Sequence, residues 1–301
     1  MKHSLIILMA LILQAGPAYA DRTCSPEMAG AALSEIKSLN RQLLRIPPSA
    51  TTEGDIAPEA KLPMGLLNEA FKHWMTAELN CQPSGTFNLA KFNAHIQETI
   101  KLILAEKPAP KDDETHYGLN WVKFQFDQQQ QFLFVKMSQG IPCTDDMALL
   151  GYSINKDQQD AWTKVIDISS DYSLEKPGSY RFKKPSIMKD PQNGHTVILL
   201  TSIPGQCNSM WYGFDFRVIE PDPNGHSHEI FATGGMYFNG ELTDDGGPEL
   251  KTHGNRFRLS WHTPDFADHD PGEAVQPETT IKTYELNNGV VKAAGKGNRS
   301  F

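Results

Sequence analysis

"KPAPKDDE", residues 107–114, joins two prolines to a run of charges, and the reading of the whole chain turns on it. Such a segment neither continues a helix nor offers an apolar face to bury, so it reads as a linker over 107–116. On its N-terminal side apolar residues recur every three or four positions, and on its C-terminal side every second position. That change of period predicts an α+β chain: a helical module over 21–106 and a larger antiparallel β domain over 117–301.

Working back from the linker, three amphipathic helices are expected. In the first, Ser25 is placed to cap and Pro26 suits the first turn. Met28, Ala32, Ile36, Leu39, Leu43 and Ile46 form its stripe, and Pro47-Pro48 end it. A polar segment runs to Lys61. The second helix extends from about Pro63 to Asn80 with Leu66, Leu67, Ala70, Phe71, Trp74 and Leu79 on its apolar side; Phe71 and Trp74 read as core. The third begins near Asn88 and carries Leu89, Phe92, Ile96, Ile100, Ile103 and Leu104. Antiparallel packing of the first two brings Cys24 and Cys81 to the same end of the pair, which predicts a disulfide between them and leaves Cys143 with Cys207.

Working forward, strands are expected at Trp121–Phe126, Gln131–Met137, Leu149–Ile154, Lys164–Ile168, Ser179–Lys183, Thr196–Ile203, Met210–Glu220, Ile230–Tyr237 and Asn255–His262. A hairpin from Ile281 to Ala293 turns at Asn287-Asn288-Gly289. Antiparallel strands with no helices between them mean a sandwich or a barrel-like sheet. A small propeller is the other reading, but no internal repeat marks out blades.

The first twenty residues place Lys2 before an apolar run, Leu5 to Leu13, and end Ala18-Tyr19-Ala20, the pattern of a cleaved secretory leader. The expected mature protein is periplasmic or secreted, without a stable membrane anchor. An even number of cysteines in an oxidising compartment suits two disulfides. The formal charge of −8 becomes −9 once Lys2 leaves with the leader, which argues against nucleic acid as a partner.

Catalytic motifs are missing. The chain has no Gly-x-Ser-x-Gly elbow, no phosphate loop of the right spacing and no His-Glu-x-x-His helix. His226 and His228 form a His-x-His pair of the kind that holds zinc on a strand, and a third ligand would come from His253, His262, His269 or the loop containing Asp265. That loop, "HTPDFADHDPGE" at 262–273, also offers calcium-type oxygens, though not at the spacing of a helix-flanked calcium loop. Solvated turns are the ordinary reading of both, and no cofactor is expected.

Alternation inside the strong strands says more. "MWYGFDFRV", residues 210–218, puts Tyr212, Phe214 and Phe216 on one face and Trp211, Gly213, Asp215 and Arg217 on the other. "RFRLSWH", residues 256–262, puts Phe257, Leu259 and Trp261 inward and Arg256, Arg258 and His262 outward. If these strands share a sheet, Trp211, Arg217, Arg256 and Arg258 form one surface: an aromatic for a sugar or peptide group, and guanidiniums for carboxylates. The expected function is therefore a non-catalytic binding protein of a bacterial-type cell envelope, with a protein or glycan partner. The alternative is a metal-dependent hydrolase of envelope material built on His226 and His228.

Overall fold

The computed structural model describes residues 24–47, 56–82, 87–105, 116–127, 129, 131–142, 144–155, 161–174, 179–204, 211–222, 225, 227–238, 247–263 and 278–294. The leader, the linker up to residue 115, Cys143, Cys207, His226, Asp265 and His269 lie outside the described residues.

Helix α1 spans Pro26–Leu43, with the Ser25 hydroxyl accepting the Met28 N–H at 3.3 Å. Helix α3 spans Leu89–Leu104, and Asn88 caps it by accepting the Lys91 N–H at 3.0 Å. Helix α2 differs from expectation, because it begins at Pro58 and carries Pro63 inside. Pro58 sits in the first turn, where an N–H would lack an acceptor anyway, and the helix gains by burying Ala60 and Met64 completely. The apolar stripes also rotate slightly: Met28 and Leu66 are exposed, while Ala29 and the side chain of Asn40 turn inward. Cys24 and Cys81 form the expected disulfide at the shared end of α1 and α2.

Among the described residues, thirteen strands follow. Sheet A is an antiparallel meander of β1 (Gly118–Asp127), β2 (Phe132–Ile141), β3 (Thr144–Asn155) and β4 (Ala161–Ile168). Sheet B contains β5 (Tyr180–Phe182), β6 (Ser186–Lys189), β7 (Thr196–Pro204), β8 (Trp211–Pro221) and β9 (Ser227–Phe238), with β5 and β6 both pairing with β7. Sheet C orders β10 (Glu249–His253), β11 (Arg256–Thr263), β12 (Glu278–Asn287) and β13 (Val290–Ala293). Strands β6 and β10 were not expected. One is four residues long and the other is an exposed polar edge, so neither carries a clear alternation.

The three sheets stack, and the helices cover the first. Trp74, Phe71 and Ile36 share one core with Leu133, Val135 and Leu150 of sheet A. The opposite face of sheet A, through Phe134 and Leu149, meets Ile198 and Leu200 of β7. The other face of sheet B, through Leu199, Phe214 and Phe216, packs on Phe257, Leu259 and Trp261 of sheet C. Strand β7 thus buries both faces, which its unbroken apolar run Val197–Leu200 requires. Among the described residues no closed barrel forms. A propeller would bring the first and last sheets together, whereas here helices cover the first and the last presents Arg256, Arg258 and His262 outward.

Buried polar side chains tie the layers, Asn40 and Asp190 among them. Asn40, fully buried in α1, accepts the Leu119 N–H at 2.9 Å and so fixes the first helix to the first strand. The Asp190 carboxylate, buried in the turn before β7, accepts the Gly289 N–H at 2.6 Å and the Gln192 N–H at 2.9 Å, joining the sheet C hairpin to sheet B. Although its burial opposes ionisation, these backbone donors hold Asp190 below the usual carboxylate range.

Candidate binding face

The sequence candidates do not form one surface. Trp211 and Arg217 belong to β8 in sheet B, and Arg256 and Arg258 to β11 in sheet C. The two strands face each other through their apolar rows, with Phe214 and Trp261 ring centroids 5.0 Å apart and Phe216 and Phe257 5.3 Å apart. Arg217 therefore stands on the side of sheet B away from sheet C, and Arg256 and Arg258 on the side of sheet C away from sheet B. The condition that the two strands be neighbours in one sheet is not met: the shared alternation marks two stacked sheets.

The outer face of sheet C behaves as a solvated charged surface. Arg256 meets Glu285 at 3.5 Å across the β11–β12 ladder, and Lys251 meets Glu249 at 3.5 Å. Pairs of this kind contribute about 0–1 kcal/mol each and suffice to explain the residues there.

The β8–β9 face is different. Sheet A covers sheet B along β5, β6, β7 and Ile219, and β4 also meets the start of β9, where the Ser227 hydroxyl donates to the Val165 carbonyl. Beyond this cover lies a row on β8, Gly213, Asp215 and Arg217, opposed in register by Met236, Gly234 and Ala232 of β9. Met236 is 55% exposed, and Ala232 and Gly234 are exposed as well. A side chain at Gly213 would meet nothing within 4 Å, whereas a Cβ at Gly234 would come within 2.6 Å of the Phe214 carbonyl oxygen. The result is a floor of backbone and small residues with Arg217 at its side, 3.7 Å from Glu229. Trp211 opens the same strand as the register partner of Phe238. A planar ring or an extended chain could lie flat on such a floor while polar atoms meet Asp215 and Arg217.

No family model matches this chain, and neither does any curated protein or solved structure.

Among the described residues, no three His, Cys, Asp or Glu side chains are placed to hold an ion. His228 of β9 stands opposite Glu220, whose carboxylate also meets His195. His262 of β11 lies in the next sheet, with its Nδ1 3.2 Å from the Thr279 hydroxyl. The hydrolase alternative rests on His226, with Asp265 and His269, outside the described residues.

Sequence reasoning passed over a buried carboxylate, Asp146 of β3. It accepts hydrogen bonds from the Ser170 hydroxyl at 2.8 Å, the Tyr180 N–H at 2.8 Å and the Tyr172 hydroxyl, and so fastens the β4–β5 connection to sheet A. Burial pushes its pKa up to about 6, with those donors opposing the shift. Folded protein thus holds this proton more tightly than unfolded chain. Between about pH 4 and pH 6 the folded state binds more protons, so stability falls as pH rises through that window and levels off above it. Against the ordinary carboxylate value near 4, this corresponds to about 3 kcal/mol. Urea unfolding of the wild type and Asp146→Asn across this range is expected to show that difference in slope; parallel curves would remove Asp146 as the source.

Proposed function

We propose that the chain is an exported, non-catalytic binding protein of a bacterial-type cell envelope that holds a protein or glycan partner on the β8–β9 face. One observation carries the reading: an exposed, glycine-floored sheet face that the neighbouring sheet leaves open, with Arg217 and Asp215 beside it. Trp211 supplies the aromatic in this proposal, stacking on a sugar ring or a peptide group, and the two charges give orientation. Export is supported by the leader pattern and by the Cys24–Cys81 bond, which suits an oxidising compartment.

The test compares capture from separated glycan and protein fractions of an envelope preparation. Trp211→Ala and Arg217→Glu are each expected to weaken capture by about tenfold or more, the effect of losing roughly 1.4 kcal/mol at an interface centre. Arg258→Glu, on the far side of sheet C, is expected to bind like the wild type. Equal capture by all four proteins would remove the face from consideration.

A further inference from the structure

Sheet A carries a second surface, at its β1 edge, unrelated to the β8–β9 face and independent of its reading. Lys123 of β1 and Lys136 of β2 are direct register partners, so their side chains leave the same face of the sheet side by side. It is the face toward sheet B, shared with Phe132 and Phe134. The β5–β6 connection passes over them: Lys136 Nζ donates to the Phe182 carbonyl at 2.7 Å, and Gln125 Nε2 donates to the Pro185 carbonyl at 3.0 Å. Between those two anchor points the connection carries Lys183 and Lys184. The ammonium of Lys123 lies 4.6 Å from the centre of the Trp121 ring. Ser138, two residues after Lys136 on the same face, is fully buried, and its hydroxyl has no hydrogen-bond partner.

Two lysines thus stand side by side at one edge of an acidic chain, with Lys183 near enough to Lys136 to add repulsion. Among the described residues neither Lys123 nor Lys136 has a carboxylate partner. Asp145, farther along this face at the register of Gly140, is engaged by Asn120 Nδ2 at 2.7 Å and Trp121 Nε1 at 3.3 Å. Like charges placed directly opposite on a sheet destabilise it. Burial, with Lys123 and Lys183 adding repulsion, pushes the Lys136 ammonium down to about 8. Fastening the connection does not call for this charge, because Gln125 performs the same task on the adjacent strand with a neutral amide.

We infer that the edge formed by Lys123, Lys136 and Ser138, beside the 182–185 connection, is a binding site for a phosphate group. A bound dianion would neutralise the repulsion, and the Ser138 hydroxyl would gain a partner. Ammonium groups act as point charges that suit a tetrahedral oxyanion, whereas a planar carboxylate is better matched by the guanidinium fork, and both cations of this pair are lysines.

Calorimetric titration of the mature protein with inorganic phosphate, and separately with glycerol phosphate, at constant ionic strength tests the site. Saturable binding of either is expected, with acetate and chloride much weaker. Tighter binding of glycerol phosphate assigns the site to a phosphate ester, and equal or weaker binding assigns it to free phosphate. Lys123→Gln, an exposed change, and Lys136→Met, which keeps the stem and removes the charge, are each expected to weaken phosphate binding about tenfold or more. In the wild type, the Lys136 ammonium followed by nitrogen NMR should titrate at higher pH when phosphate is present. Absence of saturation at millimolar phosphate would overturn the inference, as would variants that bind like the wild type or a Lys136 titration that phosphate does not move.

Discussion

Alanine at position 140 is expected to leave little folded protein. Gly140 lies in β2 opposite Gly118 of β1, and a Cβ there would sit 1.9 Å from the His116 carbonyl oxygen and 3.2 Å from its carbon. Neither atom is the end of a flexible side chain. To make room, the backbone entering β1 must retreat, and the same short segment holds Gly118 at a φ of +107° and gives the Leu119 N–H to Asn40. Moving it breaks the tie between α1 and the sheet and opens the core around Leu119 and Leu43. A change of this kind belongs with the largest single-site effects, about 4–5 kcal/mol or more, against a total stability of about 5–15 kcal/mol. Gly213→Ala is the matched control, since its Cβ would meet nothing within 4 Å, and its effect should stay within about 0.5 kcal/mol. Circular dichroism with urea unfolding decides between them. A Gly140→Ala protein as stable as the control would mean that the entry to β1 yields easily.

That contrast shows what the residues made legible and what they did not. The cap at Ser25, the start of the third helix near Asn88, the helical stripes and the switch to a period of two are local signals, and each lies within one turn or one strand. The Cys24–Cys81 bond followed from two such helices laid antiparallel. Which strands share a sheet is set by registers between distant segments. "MWYGFDFRV" and "RFRLSWH" show the same alternation because both have an apolar row, and the rows turned out to face each other across a stack. The arginines on the two strands consequently point in opposite directions. The lysine edge was hidden for the same reason: Lys123 and Lys136 belong to different strands, and only the β1–β2 register makes them neighbours. Asp146 likewise draws its partners from residues 170–180, beyond the next strand.

Removal of the Cys24–Cys81 bond is expected to lower stability by about 4 kcal/mol, the chain-entropy value for closing a loop of this size. The two cysteines are 57 residues apart in sequence and bracket α1 and α2 entirely. In the unfolded chain the bond forbids most separations of the two ends; in the folded protein those ends already meet, because the helices run antiparallel. The loss should not stay local to the helices. Ile36, Trp74 and Phe71 share their core with Leu133, Val135 and Leu150 of sheet A, so a loosened helix pair uncovers the face of that sheet. The double variant Cys24→Ala with Cys81→Ala tests this without leaving a free thiol at either position. Its urea midpoint should fall, and tryptophan fluorescence and far-ultraviolet circular dichroism should report the same transition, since helices and sheet lose their common core together. If the helical signal is lost first while the sheet persists, the helices hold sheet A only loosely. A loss below about 1 kcal/mol would mean instead that the unfolded chain already keeps the two ends close.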